Sequence, residues 1–96
     1  MHNSYIYIKS NKNRTTFYIG ITDQLQRRVM KHLEGIGSKF VSKYKLYDLI
    51  HYEHYTDITF AIQREKQLKN WHREWKINLI KSFNLEMKDL KEHVFQ

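Results

Sequence analysis

Apolar and polar residues alternate from the start of the chain. In "YIYIKS" (5–10), Ile6 and Ile8 fall on one face of a strand, and Tyr5, Tyr7 and Lys9 on the other. The polar stretch "NKNR" (11–14) reads as a turn. "TTFYIGI" (15–21) alternates again, with Phe17, Ile19 and Ile21 on one face and Tyr18 and Gly20 on the other. The pattern predicts an antiparallel hairpin. Matching its apolar faces brings Tyr7 and Tyr18 together on the opposite side.

The period then changes. Thr22 or Asp23 can cap a helix running to about Glu34, with Leu25, Val29 and Leu33 as its apolar stripe. Gly35, in "GIGS" (35–38), stops it. "KFVSKYK" (39–45) is a basic, aromatic-bearing connector with room for one helical turn, and "LYDLIHYEHY" (46–55) reads as a third strand. Asp57 caps a helical stretch over 58–83 that divides in two near 70–74, and 84–96 is a mixed tail whose packing the pattern does not place. The expectation is one α+β domain over residues 1–96, its core about 4–84 and its tail 85–96. A small three-stranded, mainly antiparallel sheet is flanked by helices.

Composition narrows the function classes. The chain of 96 residues has no cysteine, which removes disulfides, thiolate catalysis and cysteine-based zinc sites. The opening residues lack a signal-peptide pattern, and no apolar run approaches the ~20 residues that span a bilayer. A cytoplasmic protein without membrane partners is expected. The formal net charge of +7 favours a polyanionic partner, nucleic acid first.

Within this frame a few residues stand out. Arg28 and His32 lie four apart, so they share a helix face beside the apolar stripe, while Arg27 points further round. Glu65 falls among Ile58, Ala61, Ile62 and Leu68 on the helical pattern of the later segment. A carboxylate there is costly unless it is paired or binds a metal. Surface solvation is the bland reading for Arg28 and His32, and hairpin stabilisation for the tyrosines. Taken together they give two phenols, a guanidinium, an imidazole and a carboxylate around a strand–turn–helix unit of a basic protein. Phosphodiester hydrolysis uses that set: a metal polarises the phosphate, an arginine neutralises growing charge, and a phenol or imidazole takes the proton of attacking water. His51 and His54 are three apart on a strand and so diverge. Trp71 and Trp75 read as packing residues.

"YIY" (5–7) and "YIG" (18–20) resemble the paired tripeptides of GIY-YIG endonucleases, followed by an arginine eight after the glycine (Arg28) and a histidine four later (His32). "AIQREKQLKNW" (61–71) resembles the glutamate-bearing helix of the family's small stand-alone bacterial members, relatives of the nuclease domain of the excision-repair incision protein. The resemblance spans roughly residues 4 to 91. It implies a cleft with Tyr18 and Gly20 on the strand side and Arg28 and His32 on the helix side. Tyr7 would deprotonate or orient water, and Glu65 would hold one Mg²⁺ or Mn²⁺ ion. The products would be a 5′-phosphate and a 3′-hydroxyl. Two features depart from the pattern: Tyr5 stands where the first tripeptide has glycine, and the site asparagine of many members is Asn78 or, favoured, Asn84, here followed by "LEM".

The leading expectation is a metal-dependent DNA endonuclease of weak or structure-directed specificity, acting on duplex or branched DNA. Lys39, Lys43, Lys45, Lys69 and Arg73 are candidate backbone contacts. The alternatives are a non-catalytic nucleic-acid-binding module of the same fold and an RNA-directed nuclease. A partner protein supplying targeting is compatible with either activity.

Overall fold

The computed structural model describes residues 3–33 and 39–95, apart from the side chains of residues 32 and 33. The expected helix end at Glu34, the Gly35 stop and the His32 side chain therefore lie outside the described residues. The elements run β1 (Ser4–Ser10), β2 (Phe17–Thr22), α1 (Leu25–Leu33), α2 (Lys39–Tyr44), β3 (Asp48–Tyr55), α3 (Ile58–Asn70), α4 (Arg73–Phe83) and α5 (Lys91–Val94). The sheet is antiparallel throughout, in the order β2-β1-β3.

The hairpin turn is closed by side chains. Asn11 Oδ1 accepts from the backbone N–H of Thr15 and of Thr16, and Arg14 takes a left-handed conformation (φ 59°). Arg14 then ion-pairs with Asp48 at 2.7 Å, tying the turn to β3. Asp57 caps α3 as expected, its carboxylate accepting from Thr59 N at 2.8 Å. The helical stretch over 58–83 breaks at Trp71 and His72.

As the central strand, β1 is covered on both sides. Ile6, Ile8 and Ile19 pack with Ile50, Ala61, Leu68 and Ile80 on one face. On the other, Tyr7 packs with Leu25, Val29, Leu49 and Val94. The tail supplies part of this second layer. Leu90 and Val94 join it, Leu90 N donates to Leu49 O, and Asp89 accepts from Leu49 N. Sequence periodicity cannot see that docking, because two apolar residues four apart form too short a pattern to place. The apolar stripe of α3 is narrower than expected: Ala61 and Leu68 are buried, while Ile58 and Ile62 are exposed.

Lys9 lies in the buried layer beneath the tail, with no exposed surface. Its ammonium donates to Tyr47 O at 2.8 Å, a carbonyl that Lys91 also reaches. Burial, reinforced by the Lys91 charge, pushes its pKa down to about 8, against the opposing pull of Asp89 and Asp48. The unfolded chain therefore binds more protons than the folded one above that value, so stability rises with pH. Denaturant titrations should show a gain on the order of 2 kcal/mol between pH 8 and 10, before tyrosine ionisation intervenes. Lys9→Met should flatten that rise; an unchanged rise in the variant would assign it to another group.

Candidate active site

The site is built around one cross-strand pair. Tyr7 on β1 faces Gly20 on β2. A Cβ at Gly20 would stand 2.3 Å from both Cζ and the hydroxyl of Tyr7, so the tyrosine ring lies across the space a side chain would occupy. The glycine is required here by close approach of a neighbour rather than by backbone conformation. Tyr7 is buried (1% exposed), which excludes the solvent-exposed tyrosine pair as a reading of the hairpin. Tyr18 lies on the same face, its ring centroid 6.2 Å from that of Tyr7.

Charged groups converge on this pair from two helices. The Tyr7 phenol is held well above its ordinary pKa, first by burial and then by the neighbouring Tyr18; Arg28 pulls it down and Glu65 pushes it up. Arg28 from α1 and Glu65 from α3 thus both act electrostatically on one buried hydroxyl. Thr22, at the end of β2, accepts from Gln24 N and sets the turn that delivers α1. Arg28 also borders a polar hollow with Thr22, Asp23, Gln24, Arg27 and Lys31. Arg27 lines this hollow too, where the helical pattern predicts plain surface, yet it is not among the groups that act on Tyr7.

Glu65 is presented by the residue before it. Arg64 grips Glu53 of β3 through two contacts, at 2.9 and 3.1 Å. Tyr55 and His51 bond the same carboxylate at 2.7 and 2.8 Å. Burial opposes the Glu53 charge, but these hydrogen bonds hold its pKa down to about 2. With Arg64 anchored on the sheet, Glu65 is turned elsewhere and remains partly accessible. Its salt bridge, to Lys69 one turn on, is long at 3.6 Å. His51 and His54 diverge, the latter bonding Asn3 at 2.8 Å and packing on Tyr5.

The remaining candidates spread out. Asn84 caps α4 and braces the tail: its amide donates to Ile50 O and Lys88 O and accepts from Lys88 N. Asn78 is exposed within α4. Arg73 directs its guanidinium to the carbonyls of Thr15 and Arg14 and stacks over Phe17, so its fork is committed to the hairpin. Lys39 and Lys43 are exposed on α2, and Lys45, just past its end, borders a hollow beside residues 11–13. Lys69 lines a hollow with Phe17, Tyr18, Ile19, Phe40 and Lys76. Sequence reasoning missed Phe40 and Lys76, because their apposition to Tyr18 joins elements far apart in the chain.

A family model, the GIY-YIG catalytic domain, matches residues 3–78. The chain belongs to the GIY-YIG family. The match to this nuclease family spans β1, β2, α1 and α3, the elements that carry Tyr7, Tyr18, Gly20, Arg28 and Glu65. A UPF0213 protein of Bacillus pumilus is 30% identical over 92 residues, 96% of this chain and 93% of that one. A UPF0213 protein of Natronomonas pharaonis is 33% identical over 76 residues, 79% of this chain and 88% of its own. The solution NMR structure of a UPF0213 protein from Bacillus halodurans matches with a TM-score of 0.57 and 27% identity, covering 85% of this chain and 86% of that one. The three-stranded α+β architecture is thus shared with a chain of similar length.

The Tyr7–Gly20 contact gives a direct stability test. Gly20→Ala should destabilise the fold by about 1–3 kcal/mol, because the added methyl overlaps the tyrosine ring. In a Tyr7→Ala background the same change should cost much less. Equal costs in both backgrounds, by denaturant melts, would show that the glycine is needed for another reason.

Proposed function

We propose that the chain is a divalent-metal-dependent endonuclease that hydrolyses DNA phosphodiester bonds. The observation that carries this reading is that Arg28 and Glu65, from two helices, both act electrostatically on the buried Tyr7, whose ring lies across Gly20 and beside Tyr18. A +7 chain supplies the attraction for a polyanion.

A hard divalent ion suits the donor chemistry. Glu65 offers one partly accessible carboxylate whose salt bridge, among the described residues, is the long one to Lys69. Among the described residues no group of three or more carboxylate or imidazole side chains forms a ready-made cage. Mg²⁺ commonly relies on one or two carboxylates and completes its shell with water and substrate phosphate oxygens. Mn²⁺ accepts the same oxygen donors. When bound, such an ion supplies Lewis-acid polarisation of a phosphoryl oxygen.

The protein groups divide the remaining work. Arg28 neutralises charge that grows on the phosphoryl oxygens. Water attacks phosphorus, the P–O3′ bond breaks, and a 5′-phosphate and a 3′-hydroxyl result. Burial, and then the neighbouring Tyr18, disfavour the Tyr7 phenolate. Its part is to orient rather than to deprotonate, since its ring is fixed across the space beside Gly20. The proton of the attacking water is assigned to His32, an imidazole that the family resemblance puts on the helix side of the cleft.

Pure protein incubated with supercoiled plasmid, branched DNA and RNA should cut DNA with Mg²⁺ or Mn²⁺ and stop in EDTA. Glu65→Gln should abolish cutting while costing less than about 1 kcal/mol in stability, because its partner Lys69 is half exposed. Arg28→Ala should lower the rate on the order of a hundredfold or more. Arg27→Ala should chiefly weaken binding. A Glu65→Gln protein that still cuts, or equal rate losses from the two arginines, would remove this assignment.

A further inference from the structure

The catalytic face does not end at Tyr18. The Tyr18 ring packs on Phe40 with centroids 6.0 Å apart, and Phe40 packs on Tyr44 at 4.6 Å. With the Tyr7–Tyr18 contact, these form an aromatic series leading from the buried phenol out to solvent. Its outer members are wet: Phe40 is 43% exposed and Tyr44 42%. Single exposed aromatics need no explanation. This pair is different because it continues from a site residue and because its helix has another anchor. The buried residue of α2 is Val41, and Leu46 just beyond is also buried, with its N–H bonded to Val41 O. Phe40 and Tyr44 are left facing outward while the helix is held from its other side.

The floor beside this shelf is basic. Lys69 and Lys76, from α3 and α4, line one hollow with Tyr18 and Phe40, and the Lys43 ammonium lies 5.4 Å over the Tyr44 ring. Exposed rings next to converging ammonium groups suit a nucleotide, whose base stacks while its phosphates are neutralised.

Resting on the nuclease reading above, we propose that Phe40, backed by Tyr44, is a stacking shelf for the nucleobase adjoining the phosphate at the Tyr18–Arg28–Glu65 site. Lys69 and Lys76 hold the neighbouring backbone. Phe40 is a positioning residue: it takes no part in the reaction and sets where the strand lies.

The test is binding in EDTA, which separates it from cutting. Fluorescence anisotropy would compare a labelled ten-residue oligothymidylate with an abasic strand of the same length. The wild-type protein should prefer the base-bearing strand by roughly tenfold. Phe40→Ala should lose that preference and keep its affinity for the abasic strand, and Phe40→Tyr should retain it. Lys76→Ala should weaken both strands alike and make the log–log salt dependence shallower by about 0.7 for each phosphate that the lysine neutralises. Equal wild-type affinity for the two strands, or an equal loss on both from Phe40→Ala, would overturn the shelf. Failure of the wild-type protein to cut any nucleic acid with Mg²⁺ would instead overturn the nuclease reading and leave the binding result standing.

Discussion

The site depends on a tyrosine ring lying where a side chain on the neighbouring strand would be. Tyr7 occupies the middle of the central strand, and Gly20 opposite it leaves the gap. A ring held between strand, helix and tail has few alternative rotamers, so packing fixes where its hydroxyl lies. From that fixed hydroxyl the other site groups take their positions. Tyr18 is two residues before the glycine and shares its face. The strand must then end at Thr22, where the chain turns into α1 and delivers Arg28.

A second constraint orients α3. The Arg64–Glu53 pair, with His51 and Tyr55 on the same carboxylate, is half-buried and joined by hydrogen bonds from all three partners. A network of that kind fixes rotation more sharply than apolar contact does, since its donors and acceptors must meet within tenths of an ångström. The helix buries only Ala61 and Leu68, too few to determine its roll. Arg64 determines it, and Glu65 is aimed as a consequence. The tail contributes likewise, closing the layer over Tyr7 and Lys9 with Leu90, Val94 and the Asp89–Lys91 pair.

Family membership and site geometry support each other at different levels. The match to the GIY-YIG catalytic domain spans the segments in which the motifs lie. The structure shows how this chain accommodates its own departures. Tyr5, where the name-giving pattern has glycine, packs on His54 and borders a hollow with Tyr52 and Arg27 rather than intruding on Tyr7. The basic, aromatic surface beside Tyr18 is assembled from α2, α3 and α4, outside the tripeptide motifs.

Much of this is legible along the chain. Period-two alternation places the hairpin and the shared face of Tyr7 and Tyr18, because strand side chains leave the two faces by geometry alone. Asp57 and the loss of apolar periodicity near residue 71 mark α3 and the helix break, because capping and pattern act over a few residues. Spacing singles out Arg28 and Glu65. Other features need the folded chain. Periodicity puts Glu65 on a buried stripe, but Ile58 and Ile62 face solvent, since helix roll is decided by Arg64 finding Glu53 on another element. Charge alone makes Arg73 a backbone contact, but it clamps the hairpin turn. The tail, the burial of Lys9 and the apposition of Phe40 and Lys76 to Tyr18 all join residues tens of positions apart. Local sequence determines which way a side chain leaves its own element; only packing determines what stands opposite, and the chemistry of a site lies in what stands opposite.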